Sequence, residues 1–227
     1  MKLSYNWLKD YLKINKSPAE LANDLSLFGH EVESMDKMPT DTIFDLEITP
    51  NRGDCLSVLG LSREIAALYD LKFQVPVQDK IKEEKTDQEI KVTVSDPKIC
   101  PRYTARIIDH IQIKESPLWL RERLLSYGFR PINNVVDITN YVMVATGQPL
   151  HAFSYDKIQS GQMVICQAKE GEELVTLDSK KRILAEGAIV IKDKQKIYDL
   201  AGIMGGELSE VDENTKTIVL QGAIFDP

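Results

Sequence analysis

The sequence has 227 residues, 43% hydrophobic and 28% charged, with a formal charge of −7 from 28 basic and 35 acidic side chains. That length suits an ordinary globular chain with one large or two modest cores. The acidic balance excludes a general nucleic-acid binder, so any RNA contact needs a local patch. No apolar run reaches the length of a membrane span, and MKLSYNWLKDYLKINK has neither the apolar stretch nor the cleavage site of a signal peptide. Cys55, Cys100 and Cys166 are odd in number and far apart, which speaks against a disulfide framework or a zinc cluster and fits a reducing cytoplasm. A multi-histidine metal site would need all of His30, His110 and His151.

In chain order, Trp7, Leu8, Tyr11 and Leu12 recur at helical spacing from Tyr5 to Leu12. Ser17, Pro18 and Glu20 open a second helix as a capping box. Its stripe is Leu21, Leu25 and Phe28, and Gly29 stops it. Glu31 to Met35 and Ile43 to Thr49 alternate as strands. The turn Pro50-Asn51-Arg52-Gly53-Asp54 leads into a helix from Cys55 to Tyr69, capped by Asp54, with Leu56, Leu59, Ile65 and Leu68 on one face. Residues 72–88 are charged and lack periodicity, as a linker would.

Beyond it, Ile90 to Val94 and Tyr103 to Ile113 read as strands, and Leu118 to Ser126 as a helix closed by Gly128. Asn133 to Ala145 suits either a strand or a buried helix. Short strands follow at Met163–Ala168, Leu174–Leu177, Ala188–Ile191, Ile197–Met204 and Thr217–Leu220. The class is α+β.

No nucleotide-binding glycine loop, nucleophile elbow or HExxH helix is present in the sequence, so no ATP site is legible. Three stretches carry polar groups in unusual settings. In Thr49 to Ser57 the polar turn suits either a binding site or, as turn chemistry favours, a strand–turn–helix corner in which Asn51 and Asp54 satisfy backbone donors and Arg52 pairs locally. In Asp137 to Phe153, Thr139 and Asn140 lie in an apolar segment, and a Gly-Gln-Pro turn swings His151 back toward them. A hydroxyl, an amide and an imidazole can hold a water against an ester carbonyl. A hydrogen-bonded core network explains the same residues. In Ala201 to Glu207, glycines bring backbone close to something, either as pocket walls or as a bulged hairpin with a solvated glutamate.

Together, LEITPNRGDCLSVLGLSREIAALY, NNVVDITNYVMVATGQPLHAF and LAGIMGGELSEV resemble, in this order, stretches of the bacterial phenylalanyl-tRNA synthetase beta subunit, as do SYNWLKDYL and LFGHEVES. The resemblance implies a small N-terminal α/β domain over 1–75 (the B1 type), a linker over 76–88, and a larger β-rich editing domain over 89–227 (the B3/B4 type). It also implies that the OB-fold tRNA-binding insert of the family is missing near 36–42, and that further domains follow Pro227, so that the sequence is a fragment. The implied activity is hydrolysis of tyrosine misattached to the phenylalanine tRNA. Thr139, Asn140 and His151 would hold the ester end and the water. Glu207 would accept the phenol, and Ala201, Gly202 and Gly206 would form the ring slot. No metal or cofactor is implied for editing, whereas ATP and magnesium serve the whole synthetase. The implied partners are the acceptor end of tRNA(Phe) and the catalytic alpha subunit, in a heterotetramer in the cytoplasm. From Cys100 to Asn134, six basic residues (Arg102, Arg106, Lys114, Arg121, Arg123, Arg130) against three acidic ones offer a local positive surface for the tRNA or a solvated face.

Overall fold

The chain opens on a strand that the pattern does not indicate, β1 (Lys2–Ser4). The Ser4 hydroxyl accepts from the Trp7 backbone and starts α1 (Tyr5–Leu8), which is a single turn. The expected helix to Leu12 is therefore shorter, although Tyr11 and Leu12 are still buried. In α2 (Pro18–Leu27) the capping box of Ser17 and Glu20 forms, and Gly29 ends the helix at φ 98°. Leu21 and Leu25 are buried, but Phe28 is 66% exposed and leaves the stripe.

Strands β2 (Val32–Lys37) and β3 (Thr42–Leu46) form a hairpin through a tight connection in which the Met38 N–H donates to the Asp41 carbonyl. They complete an antiparallel sheet of order β1-β3-β2. The place expected to have lost an insert is thus a short hairpin loop.

Helix α3 (Val58–Leu68) starts later than expected. Residues Gly53–Cys55 form a 3-10 turn, and Ser57, not Asp54, caps the helix by accepting from Gly60 N–H. Its buried face is Val58, Leu61, Ile65 and Ala66, whereas Leu56 is 55% exposed. The shifted start rotates the stripe away from Leu56.

The computed structural model describes residues 1–75, 84–158 and 160–226; part of the 72–88 linker therefore lies outside the described residues. Packing divides the chain into two units. One comprises Met1–Lys82, Ser116–Ile132 and Asn140–Gln148, and the other Glu83–Glu115, Asn133–Thr139 and Pro149–Pro227. These are not the contiguous stretches that a cut at the linker gives. The reason is apolar. Tyr127 and Phe129, at and just beyond the end of α4 (Leu118–Tyr127), and Tyr141, Val144 and Ala145 in the second half of α5 (Asn134–Thr146), join the core of Leu3, Trp7, Leu21, Phe44, Leu61 and Ile65. Trp7 stacks on Tyr141 at 4.8 Å between ring centroids. Each such apolar side chain contributes about 1.5–3 kcal/mol when fully buried.

The ambiguous segment 133–145 is thus a helix. Asn133 Oδ1 accepts from the N–H groups of Val135 and Val136, a cap that outweighs the β-branched composition.

The other unit holds the remaining strands: β4 (Lys91–Val94), β5 (Arg102–Ile108), β6 (Leu150–Ser154), β7 (Gln162–Gln167), β8 (Glu173–Val175), β9 (Lys181–Ile183), β10 (Ile189–Lys192), β11 (Ile197–Leu200), β12 (Met204–Gly205) and β13 (Ile218–Ile224). Five form a sheet of order β12-β11-β10-β7-β4, in which only β4 and β7 run parallel. Three form an antiparallel sheet of order β5-β13-β6, and β8 pairs with β9. Phe153 and Val219 from the three-stranded sheet pack with Met163, Ile165, Ile191 and Tyr198 from the five-stranded one. The single strand expected from Ile197 to Met204 is two strands joined by a turn at Gly202, whose φ is 73°. The fold is α+β.

Candidate functional site

His151 is the second residue of β6, and its cross-strand partner on β13 is Gln221. Its ring meets Phe153 edge-on, 4.6 Å between centroids. Against the ring lies the bare backbone of Gly205: a Cβ there would stand 2.7 Å from His151 Cε1 and 2.9 Å from Nε2. At Gly206 a Cβ would stand 2.5 Å from the Tyr198 carbonyl oxygen. The two glycines therefore serve different approaches, one to the imidazole and one to the β11 backbone. Burial lowers the His151 pKa to about 4, so the ring is neutral at pH 7.

Three residues that the sequence reading missed surround this point. Asp199 is buried on β11 in register with Gly205, and burial pushes its pKa up to about 7. Tyr103 donates its hydroxyl to Gln221 Oε1 at 3.1 Å, and its own ionisation is suppressed by burial and then by the Asp199 charge. Gln221 itself is buried. The only signal was a polar residue at an inward position of an apolar strand, in IYDL and in IVLQGAI.

Ala201 and Gly202 open onto a recess of about 690 Å³, walled by Ile99, Leu200, Ala223 and Phe225, with Gln167 and Asp226 as polar lining. The volume admits an aromatic side chain. His151 and Glu207 are not in its wall. Gly205 follows Gly202 by three residues, so at most ~11 Å of chain separates the recess from the imidazole.

Glu207 begins a 3-10 turn, is exposed, and accepts from the Ser179 hydroxyl at 3.3 Å. Thr139 is buried, and its hydroxyl donates to the Val136 carbonyl at 2.7 Å within its own helix. Asn140 follows it and is half-buried. The structure thus brings His151 to Gly205 and places Ala201 and Gly202 on one recess. No hydrogen bond joins Thr139 or Glu207 to His151 among the described residues.

The six basic residues fall three to each unit, and Arg123 is tied to Asp10 at 2.7 Å with its guanidinium over the rings of Trp7 and Trp119. It is held inside its unit rather than offered to a phosphate. Among the described residues, no helix is long and apolar enough to cross a membrane.

Residues 99–227 match the family model of the B3/4 domain. A phenylalanine–tRNA ligase beta subunit from Rhodopirellula baltica is 42% identical across 100% of this chain and 34% of its own length. The one from Listeria monocytogenes serotype 4b is 48% identical across 82% of this chain and 23% of its own. A solved N-terminal fragment of the phenylalanyl-tRNA synthetase beta-subunit from Pyrococcus horikoshii overlays with a TM-score of 0.49 at 16% identity, covering 100% of this chain and 68% of that one, too distant to add to this. The chain spans about a third or less of the length of these curated relatives. It belongs to the B3/4 domain family, in the form found in phenylalanine–tRNA ligase beta subunits.

Proposed function

We propose that this chain is the proofreading part of a phenylalanine–tRNA ligase beta subunit and hydrolyses the ester of tyrosyl-tRNA(Phe). The observation that carries the reading is the glycine-backed imidazole of His151 lying a few residues along the chain from a recess that fits an aromatic ring. The need is physical. A hydrophobic synthetic pocket rejects an added hydroxyl poorly, so discrimination has to come from a second site that requires the hydroxyl.

In this reading the tyrosine ring enters beside Ala201 and Gly202, and the ester lies toward His151. An imidazole with a pKa near 4 is a weak base at pH 7. His151 therefore acts mainly by accepting a hydrogen bond from the attacking water and fixing its direction. An aminoacyl ester is already activated, so positioning suffices. Thr139 and Asn140 orient the terminal ribose, and Gly206, packed bare against the Tyr198 carbonyl, sets the turn that carries Glu207. The partners are the acceptor end of tRNA(Phe) and the alpha subunit of the synthetase, and the reaction needs no metal or cofactor on this chain.

Glu207 is the assigned acceptor for the phenol. Since it is exposed, it discriminates only when the bound substrate covers it: an acceptor still in water loses little by missing its partner, whereas a desolvated one costs about 1–3 kcal/mol. Gln221 is a second, already buried acceptor. Hydrolysis of tyrosyl- and phenylalanyl-tRNA(Phe) by Glu207→Ala and Gln221→Met separates the two. Loss of roughly tenfold of the tyrosine preference in Glu207→Ala is expected, given that energy. An unchanged preference there, with loss in Gln221→Met, moves the role to the buried amide.

A further inference from the structure

Apart from the proposed editing residues, one group of His, Cys and carboxylate side chains among the described residues has metal-ligand geometry: His30, Cys55 and Glu64, whose ligand atoms lie within 4.8 Å of one another. They come from three elements. His30 follows Gly29 at the end of α2, where its N–H closes onto the Leu25 carbonyl at 3.0 Å. Cys55 ends the 3-10 turn, and Glu64 projects from α3. The turn and the helix touch because residue 60 is glycine: a Cβ there would stand 1.9 Å from the Asp54 carbonyl oxygen.

His30 Nε2 lies 3.8 Å from Cys55 Sγ and 3.7 Å from Glu64 Oε1. Metal–ligand bonds of about 2.0–2.3 Å at tetrahedral angles put neighbouring ligand atoms roughly 3.5 Å apart. The two spacings from His30 need only a slight contraction, and the Cys55–Glu64 gap, within 4.8 Å, closes further on binding. His30 and Cys55 are 1% and 0% exposed, and His30 Nδ1 has no hydrogen-bond partner. Nε2, the nitrogen that faces Cys55 and Glu64, has only these two long contacts and so lacks a close partner of its own.

We propose that His30, Cys55 and Glu64 bind one divalent cation of the zinc class, leaving a fourth position for water. Imidazole, thiolate and carboxylate in a tetrahedral set favour zinc over hard cations such as magnesium. Arg52 is compatible with the ion and supports it. Its Nη2 holds Glu64 Oε2 at 2.8 Å, leaving Oε1, which it holds more loosely at 3.2 Å through Nη1, to turn to the cation. The same Nη2 lies 3.1 Å from Cys55 Sγ and can donate to a metal-bound thiolate, a typical supporting contact. Asp54 anchors the guanidinium from the other side through two bonds of 3.0 Å. On binding, the Cys55 S–H bond breaks, the S–metal bond forms, and the proton passes to solvent.

The test uses the whole chain, freed of metal by chelator and titrated with zinc and, separately, with cobalt(II). One equivalent should bind, raise the Tm, and with cobalt give a thiolate-to-metal charge-transfer band. Cys55→Ser should abolish that band and Cys166→Ser should keep it. Glu64→Gln, which alters a partly exposed side chain and should still fold, should weaken zinc binding at least tenfold. Absence of stoichiometric uptake by the unaltered chain, or a band that survives Cys55→Ser, overturns the proposal and leaves Arg52 as the only cation the cluster holds. None of these readouts depends on tRNA.

Discussion

Gly205→Ala is expected to lower tyrosyl-tRNA hydrolysis about 100-fold while leaving the protein folded. The added methyl would stand 2.7 Å from His151 Cε1, closer than any real contact, so one of the two must move. The neighbour is a side chain, and Gly205 does not have a positive φ that would itself resist alanine. The imidazole yields, at modest cost in stability. A displacement of about 1 Å at a group that aims a water costs on the order of 100-fold in rate. Gly206→Ala provides the contrast. There the methyl meets the Tyr198 backbone 2.5 Å away, which cannot swing aside, so stability falls along with activity. Thermal melts and single-turnover deacylation, measured on both variants, check the pair. Full activity in a folded Gly205→Ala protein would mean that His151 does not touch the reaction.

The second large effect is on stability. Burial raises the Asp199 pKa from 3.8 to about 7 and lowers that of His151 from 6.5 to about 4. Asp199 binds its proton more tightly when folded. Its contribution is complete below pH 3.8 and is lost as pH rises through 7. The change is about 4 kcal/mol, at about 1.36 kcal/mol for each pK unit. His151 runs the other way: its contribution is complete above 6.5 and is lost as pH falls toward 4. Between pH 4 and 6.5 the two slopes nearly cancel. Asp199→Asn removes one of them. Its stability relative to the unaltered chain should be near its minimum at pH 4 and should rise by about 4 kcal/mol by pH 8. Denaturant melts at the two pH values measure this, and a pH-independent difference would mean that Asp199 is ionised in the folded state throughout.

The sequence carried the fold in its local chemistry and lost it where distant parts meet. The Ser17–Glu20 capping box and the Gly128 stop are written in neighbouring residues and appear as read. The start of α3 was misplaced because Asp54 and Ser57 are equally good caps in isolation. Asp54 is instead held by Arg52, leaving Ser57 to accept from Gly60. The interleaving of α4 and the end of α5 with the first core depends on Tyr127, Tyr141 and Val144 finding Trp7 and its neighbours, which no spacing reveals.

At the candidate site, the close approach of bare backbone was legible from the run of glycines, and the structure shows that it meets the imidazole of His151 at Gly205. Asp199, Tyr103 and Gln221 were not, since each is one polar residue in a strand, and strand pairing alone gathers them. The His30, Cys55 and Glu64 cluster was hidden in the same way. Its members are too far apart in sequence to form a metal-binding motif, and a helix stop, a 3-10 turn and a second helix bring them together.

The most direct measurement is deacylation of tyrosyl-tRNA(Phe) against phenylalanyl-tRNA(Phe) by this chain. Faster release of tyrosine than of phenylalanine, with the difference abolished by His151→Ala, is the predicted result. Equal release of both amino acids, or a preference that persists without the imidazole, would contradict it.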